Sequence, residues 1–180
     1  MRVSGLGTLA RAGLVLLLAG AGAVAILLVV SSSDVPGVQS ANGPGKALPD
    51  SGAESLPAGK RAPLGNPAHP PTSGAHAPAA ITRDGAPLSN DQLLDALERG
   101  DVVILYDAPR PPAPLGALAA ALAPPFSPAL AAAGGAVILA PRAGVGGIVA
   151  VAWRHLLRVA DPRDPALGQF VDFWLGRGRR

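Results

Sequence analysis

The sequence predicts an α/β (α+β) fold: a small mixed sheet with packed helices, following an N-terminal transmembrane helix and a disordered linker. Three observations carry this reading. Residues 12–30 form an uncharged apolar run. Residues 31–68 are rich in proline and glycine and poor in large apolar side chains. Residues 69–176 then pass in turn through segments of helical and strand periodicity.

The apolar run reads A-G-L-V-L-L-L-A-G-A-G-A-V-A-I-L-L-V-V. As a helix it is about 28 Å long, close to the ~30 Å hydrocarbon core of a bilayer. Arg2 and Arg11 precede it, Asp34 is the first charge after it, and no cation follows until Lys46. Positive flanks stay in the cytoplasm, so residues 1–11 are expected inside and the C-terminal bulk outside. The alternative is a cleaved secretory signal. Ala19-Gly20-Ala21 and Ala23-Val24-Ala25 fit small-x-small cleavage sites, although the apolar run continues past both. A buried soluble helix is a third option. Residues 31–68 cannot bury enough surface to offset their ordering entropy and are expected to be a disordered leash.

The expected domain spans 69–176, followed by a basic tail at 177–180. Ser89 and Gln92 have the capping-box spacing, Asp91 suits the helix dipole, and Gly100 is placed to end the helix in a left-handed cap. Leu93, Leu94, Ala96 and Leu97 share one face; Asp91, Asp95, Glu98 and Arg99 share the other. Residues 102–106 (V-V-I-L-Y) read as a buried strand. A proline-rich loop leads to a helix from Pro114 to Leu122, and Ser127-Pro128 opens a shorter one ending at Gly134-Gly135. Residues 136–140 make a second strand. A turn over 141–146 leads to a third, from Gly147 to Trp153 and running on toward Val159. Asp164 caps and Pro165 opens a last helix, with Leu167, Phe170, Val171 and Trp174 on one stripe and Gly176 at its end. The helical crossover predicts that the first two strands are parallel, and the short turn predicts a hairpin for the next pair. The last five elements follow the order of a thioredoxin-like half, an order that several folds share.

Composition excludes several functions. The chain has no cysteine, which removes thiolate metal sites, iron–sulfur clusters, cysteine nucleophiles and disulfides together. The net charge is +3, but the arginines are scattered and no aromatic-interleaved basic stripe appears, which argues against nucleic acid as a partner. No G-x-S-x-G elbow is present, so Ser73 beside Gly74 reads as a turn residue. The run 144–147 (G-V-G-G) joins two strands and lacks a following Lys, unlike a phosphate-binding loop. Asp161 and Asp164 flank prolines and fit turn and cap duties.

Four blocks taken together resemble a known family: 70–76 (P-P-T-S-G-A-H), 93–106 (L-L-D-A-L-E-R-G-D-V-V-I-L-Y), 140–142 (A-P-R) and 152–154 (A-W-R). They are similar to successive blocks of a bacterial exported family, domain-of-unknown-function family 3105. That family's helix–strand block usually reads His-x-Leu-Glu-His-Gly, which implies a His-rich, metal-binding site. Here Asp95 and Arg99 stand at the two histidine positions, while Glu98, Gly100 and His76 match the pattern. The resemblance supports the fold and the exported address.

A Zn²⁺ or Cu²⁺ site needs three or four converging N/O ligands, and the chain has only His69, His76 and His155. His76 with Asp95 and Glu98 is the candidate metal set. The competing reading is an exposed Asp95–Arg99 ion pair at i,i+4. His69 is expected to be solvated and His155 structural. The favoured function is a non-enzymatic binding or interaction module of the bacterial cell membrane, single-pass, with its C-terminal domain extracytoplasmic. The alternative is a Cu- or Zn-binding protein, or metal-dependent enzyme, of the same topology.

Overall fold

The computed structural model describes residues 43–179; the expected membrane segment 12–30, its flanks and the first part of the expected linker lie outside the described residues. Among the described residues no helix is long and apolar enough to cross a membrane. The elements are β1 (Lys46–Ala47), α1 (Asn90–Arg99), β2 (Val102–Tyr106), α2 (Ala113–Leu122), α3 (Pro128–Ala132), β3 (Val137–Pro141), β4 (Ile148–Ala152), β5 (His155–Val159) and α4 (Pro165–Trp174).

Five strands form one mixed sheet in the order β1-β5-β4-β2-β3. β2 and β3 are parallel, as their helical crossover requires, with Val102 opposite Val137. The next connection departs from the expected hairpin. β4 steps over the end of β2 and pairs with its other side, antiparallel, with Val103 opposite Val151. Residues 142–147 are long enough to cross one strand, and two bonds fix the crossing: Arg142 N–H donates to Tyr106 O, and Asp107 N–H donates to Gly147 O. β2 and β4, buried at every position, take the centre; their unbroken apolar runs would lose that burial at an edge. The expected long third strand is in fact two, β4 and β5, folded at Trp153-Arg154, where Arg154 takes φ 63°.

Side chains alternate between two cores. Val103, Leu105, Ile138, Val149 and Val151 face α1 and α3 with Leu93 and Leu97. Val102, Ile104, Tyr106, Leu139 and Leu157 face α2 and α4 with Leu115, Leu167 and Phe170. The result is a helix–sheet–helix sandwich.

The disorder expected for 31–68 is overturned over 43–68. Most side chains there are exposed, as their composition dictates, but the backbone is bonded to the domain. β1 pairs with β5, Leu48 N–H donates to Arg154 O, and Leu56 N–H donates to His76 O. On the β3 side Leu139 N–H donates to Asp84 Oδ1, and Gly85 N–H donates back to Leu139 O, closing an edge that would otherwise invite strand addition.

Candidate functional site

The candidate residues lie on the polar side of α1. The helix begins as expected: Ser89 Oγ accepts from Gln92 N, and Gln92 Oε1 accepts from Ser89 N. Gly100 closes it in the left-handed region at φ 116°. Leu93, Leu94, Ala96 and Leu97 enter the core. The opposite face is not solvated: Asn90, Asp91 and Asp95 are buried beneath the coil that runs from about residue 61 to 80.

That coil is extended and rich in proline, so its backbone groups cannot pair along their own length and need partners elsewhere. α1 supplies them. Asp91 Oδ1 accepts from both Ala62 N at 2.9 Å and Ala77 N at 2.8 Å. Asp95 Oδ2 accepts from Ala79 N at 3.1 Å. Asn90 Nδ2 donates to the carbonyls of Pro63 and Leu64, and Gln92 Nε2 donates to Ala80 O. Burial alone would raise the Asp91 pKa, but the Ala77 and Ala62 amides, with Arg61 and His76, hold it below its ordinary value. One polar helix face thus pins two stretches of coil.

Two of the three candidate metal ligands meet. His76, buried, places Nε2 3.3 Å from Glu98 Oε2. Its Nδ1 lies 2.8 Å from Gly74 O, which only a protonated nitrogen can satisfy, so Nε2 donates to Glu98 only when the ring carries a proton on both nitrogens. Asp95 is committed elsewhere. Besides Ala79 N, its Oδ2 takes Arg99 at 2.7 Å, the expected i,i+4 pair, although Asp95 itself is buried. Glu98 Oε1 also takes Arg179 at 3.3 Å. Two guanidinium groups therefore stand beside the carboxylates that would receive a cation, and the residues present do not fit a three-ligand centre. No group of three or more His, Asp or Glu placed to hold a metal occurs among the described residues.

The C-terminal end of α1 is sealed by backbone. Arg179 N–H donates to Glu98 O and Gly176 N–H donates to Gly100 O, satisfying carbonyls the helix leaves open. The approach is so close that a Cβ on Gly178 or Gly134 would strike the backbone of Glu98 or Arg99. Asp101 sits at this junction, fully buried. Its Oδ1 accepts from Ala136 N at 2.8 Å and its Oδ2 has no partner. Burial raises its pKa to about 7, against the opposing pull of the Ala136 amide and Arg99.

The remaining residues marked from sequence take structural places. Ser73 Oγ accepts from Ser51 N and donates to Pro49 O, more tying than turning. His69 is exposed. Asp161 accepts from Arg163 N and Asp164 caps α4 through Ala166 N. The 144–147 loop is held by Arg158, whose guanidinium donates to the Val145 and Gly146 carbonyls and to Ala68 O. His155 stacks on Trp174 at 3.7 Å, and burial lowers its pKa. The sequence reading missed Asn90 and Asp91 as coil anchors. The signal was present: a proline-rich coil has amides to satisfy, and α1 offers acceptors at helical spacing.

No curated protein and no solved structure matches the chain. A family model described as "Protein of unknown function (DUF3105)" matches residues 61–179, taking in the coil, α1 and the elements from β2 to α4 as far as Arg179, but not β1. The chain belongs to that family.

Proposed function

We propose that this protein is a single-pass, membrane-anchored extracytoplasmic protein of the bacterial envelope whose domain acts as a non-enzymatic binding or interaction module. The address is supported by the uncharged run at 12–30 with Arg2 and Arg11 before it and Asp34 after it. The absence of cysteine narrows the chemistry on offer. The observation that carries the reading is the state of α1. Asp91, Asp95 and Glu98 are engaged by the chain's own amides, histidine and guanidinium groups, so the most acidic face of the domain serves the scaffold.

A reporter fused after Arg180 tests the address. Activity of an export-dependent reporter supports it; activity only of a cytosol-dependent one overturns it. The second reading, a Cu or Zn protein using His76, Asp95 and Glu98, is favoured by one contact, His76 to Glu98. Under our reading that contact is a scaffold bond that fastens residue 76 to α1.

A further inference from the structure

The ordering of residues 43–68 shortens the connection between the domain and the apolar run at 12–30. A leash over 31–68 would reach about 130 Å at full extension. Gly43, however, is already buried in the fold. Only residues 31–42 then separate it from Val30, and these span at most about 45 Å. The chain enters the domain at one defined place, the C-terminal end of α4. A Cβ on Gly43 would run into Phe173, and into Trp174 at 2.7 Å. Trp174 Nε1 donates to Pro44 O at 2.9 Å, and Lys46 and Ala47 continue as β1 on the outer edge of β5.

The side chains gathered at that entry are aromatic and cationic. Phe173 and Trp174 are half-buried and meet edge-on at 4.8 Å. Arg177, exposed, lies 4.1 Å over the Phe173 ring, and Lys46 is exposed on β1. Neither cation has an acidic partner among the described residues, although three acids lie on nearby elements. Glu98 is taken by Arg179, Asp50 faces Arg154 at 3.9 Å, and Asp172 is exposed on the last turn of α4. Half-buried aromatic rings flanked by Lys and Arg are the side chains that settle at the headgroup level of a bilayer.

Two independent observations therefore fall on one corner: the point where the chain enters, and a pair of cations free of acidic partners among the described residues. Attraction between a few cations and an anionic leaflet is weak and fades within a Debye length of about 10 Å. A short connection offsets that weakness, because it holds the corner at high effective concentration beside the surface. Charge complementarity and chain length thus select the same partner.

We propose that the corner formed by Lys46, Phe173, Trp174 and Arg177 docks on the anionic headgroup surface of the bilayer in which the chain is anchored. The inference rests on the membrane-anchored reading above and adds an orientation to it. The C-terminal end of α4 meets lipid, while the coil over α1, on the other face of the sheet, stays clear of it.

Cysteine is absent from the chain, so an introduced thiol carries a fluorophore without background. Two full-length variants are labelled and reconstituted in phosphatidylglycerol-rich vesicles that contain a lipid with a nitroxide on its headgroup. Gln169→Cys places the dye on an exposed position of α4, one turn ahead of Phe173. Leu64→Cys places it on the coil over α1, at a residue 85% exposed. We expect quenching at 169 several-fold above that at 64. The excess should vanish in phosphatidylcholine vesicles, in about 1 M salt, where the Debye length falls to about 3 Å, and on adding Lys46→Glu with Arg177→Glu. Arg177→Lys, which keeps the charge, should retain it. Equal quenching at the two positions in a chain that floats with the vesicles after an alkaline wash would overturn the docking and leave the anchor standing. Quenching at 169 that ignores lipid charge would overturn the anionic surface as the partner. A chain that no longer floats after the wash would overturn the anchored reading and this proposal with it.

Discussion

Asp91→Ala should unfold the coil from α1 and cost the domain a large part of its stability. The carboxylate is 3% exposed and accepts from two backbone amides that have no other partner in the hydrogen-bond network. Leaving a buried donor unsatisfied costs about 1–3 kcal/mol, so two amount to roughly 2–5 kcal/mol after some relaxation. Arg61 adds little: its Nε is 4.0 Å away and its side chain is 71% exposed. Asp91→Asn keeps an acceptor oxygen in place and should lose only about 1 kcal/mol, the difference between a charged and a neutral acceptor. The assay is denaturant unfolding of the full chain in detergent, with hydrogen exchange at the Ala62 and Ala77 amides. Because its folded pKa is depressed, Asp91 contributes stability present above the ordinary carboxylate value and lost as pH falls through the folded one. Equal stabilities for the Ala and Asn variants, or unchanged protection of both amides, would refute the view of α1 as an anchor for the coil.

Asp101 should act in a different pH window and with the opposite sign. Its folded pKa is raised from 3.8 to about 7, so its contribution is complete below 3.8 and lost as pH rises to about 7. Asp101→Asn should therefore stabilise the chain at pH 8, and the advantage should shrink by about 1.4 kcal/mol per unit between pH 7 and 4, read from unfolding curves of both proteins. Gly178→Ala and Gly134→Ala should each cost about 1–3 kcal/mol by overpacking against the end of α1. Gly176→Ala, open in space but left-handed at φ 75°, should cost about 1–2 kcal/mol from backbone strain alone, read from thermal melts.

The elements were legible where local chemistry decides them. Ser89, Gln92 and Gly100 fix the ends of α1, and Asp164-Pro165 opens α4, because caps act through groups within a turn of one another. The pairing of β4 was not legible, since a six-residue loop permits either a hairpin or a step across β2, and only the burial of both strands selects the second. The fate of 43–68 was hidden for another reason. Composition reports how much apolar surface a segment can bury, whereas this one is ordered through its backbone by Asp91, Asn90 and Arg154, whose sequence positions lie far away. The candidate site was half legible. His76 and Glu98 do meet, but the capture of Asp95 by Arg99 and of Glu98 by Arg179 depends on the fold of the tail.

The central claim is that the acidic face of α1 serves the scaffold and not a metal. Its most direct test is metal analysis of the full chain after purification with Zn²⁺ or Cu²⁺ present, repeated on His76→Ala. The account predicts substoichiometric metal in both proteins and a lower unfolding midpoint in the variant. Stoichiometric Zn or Cu that disappears on His76→Ala would contradict it.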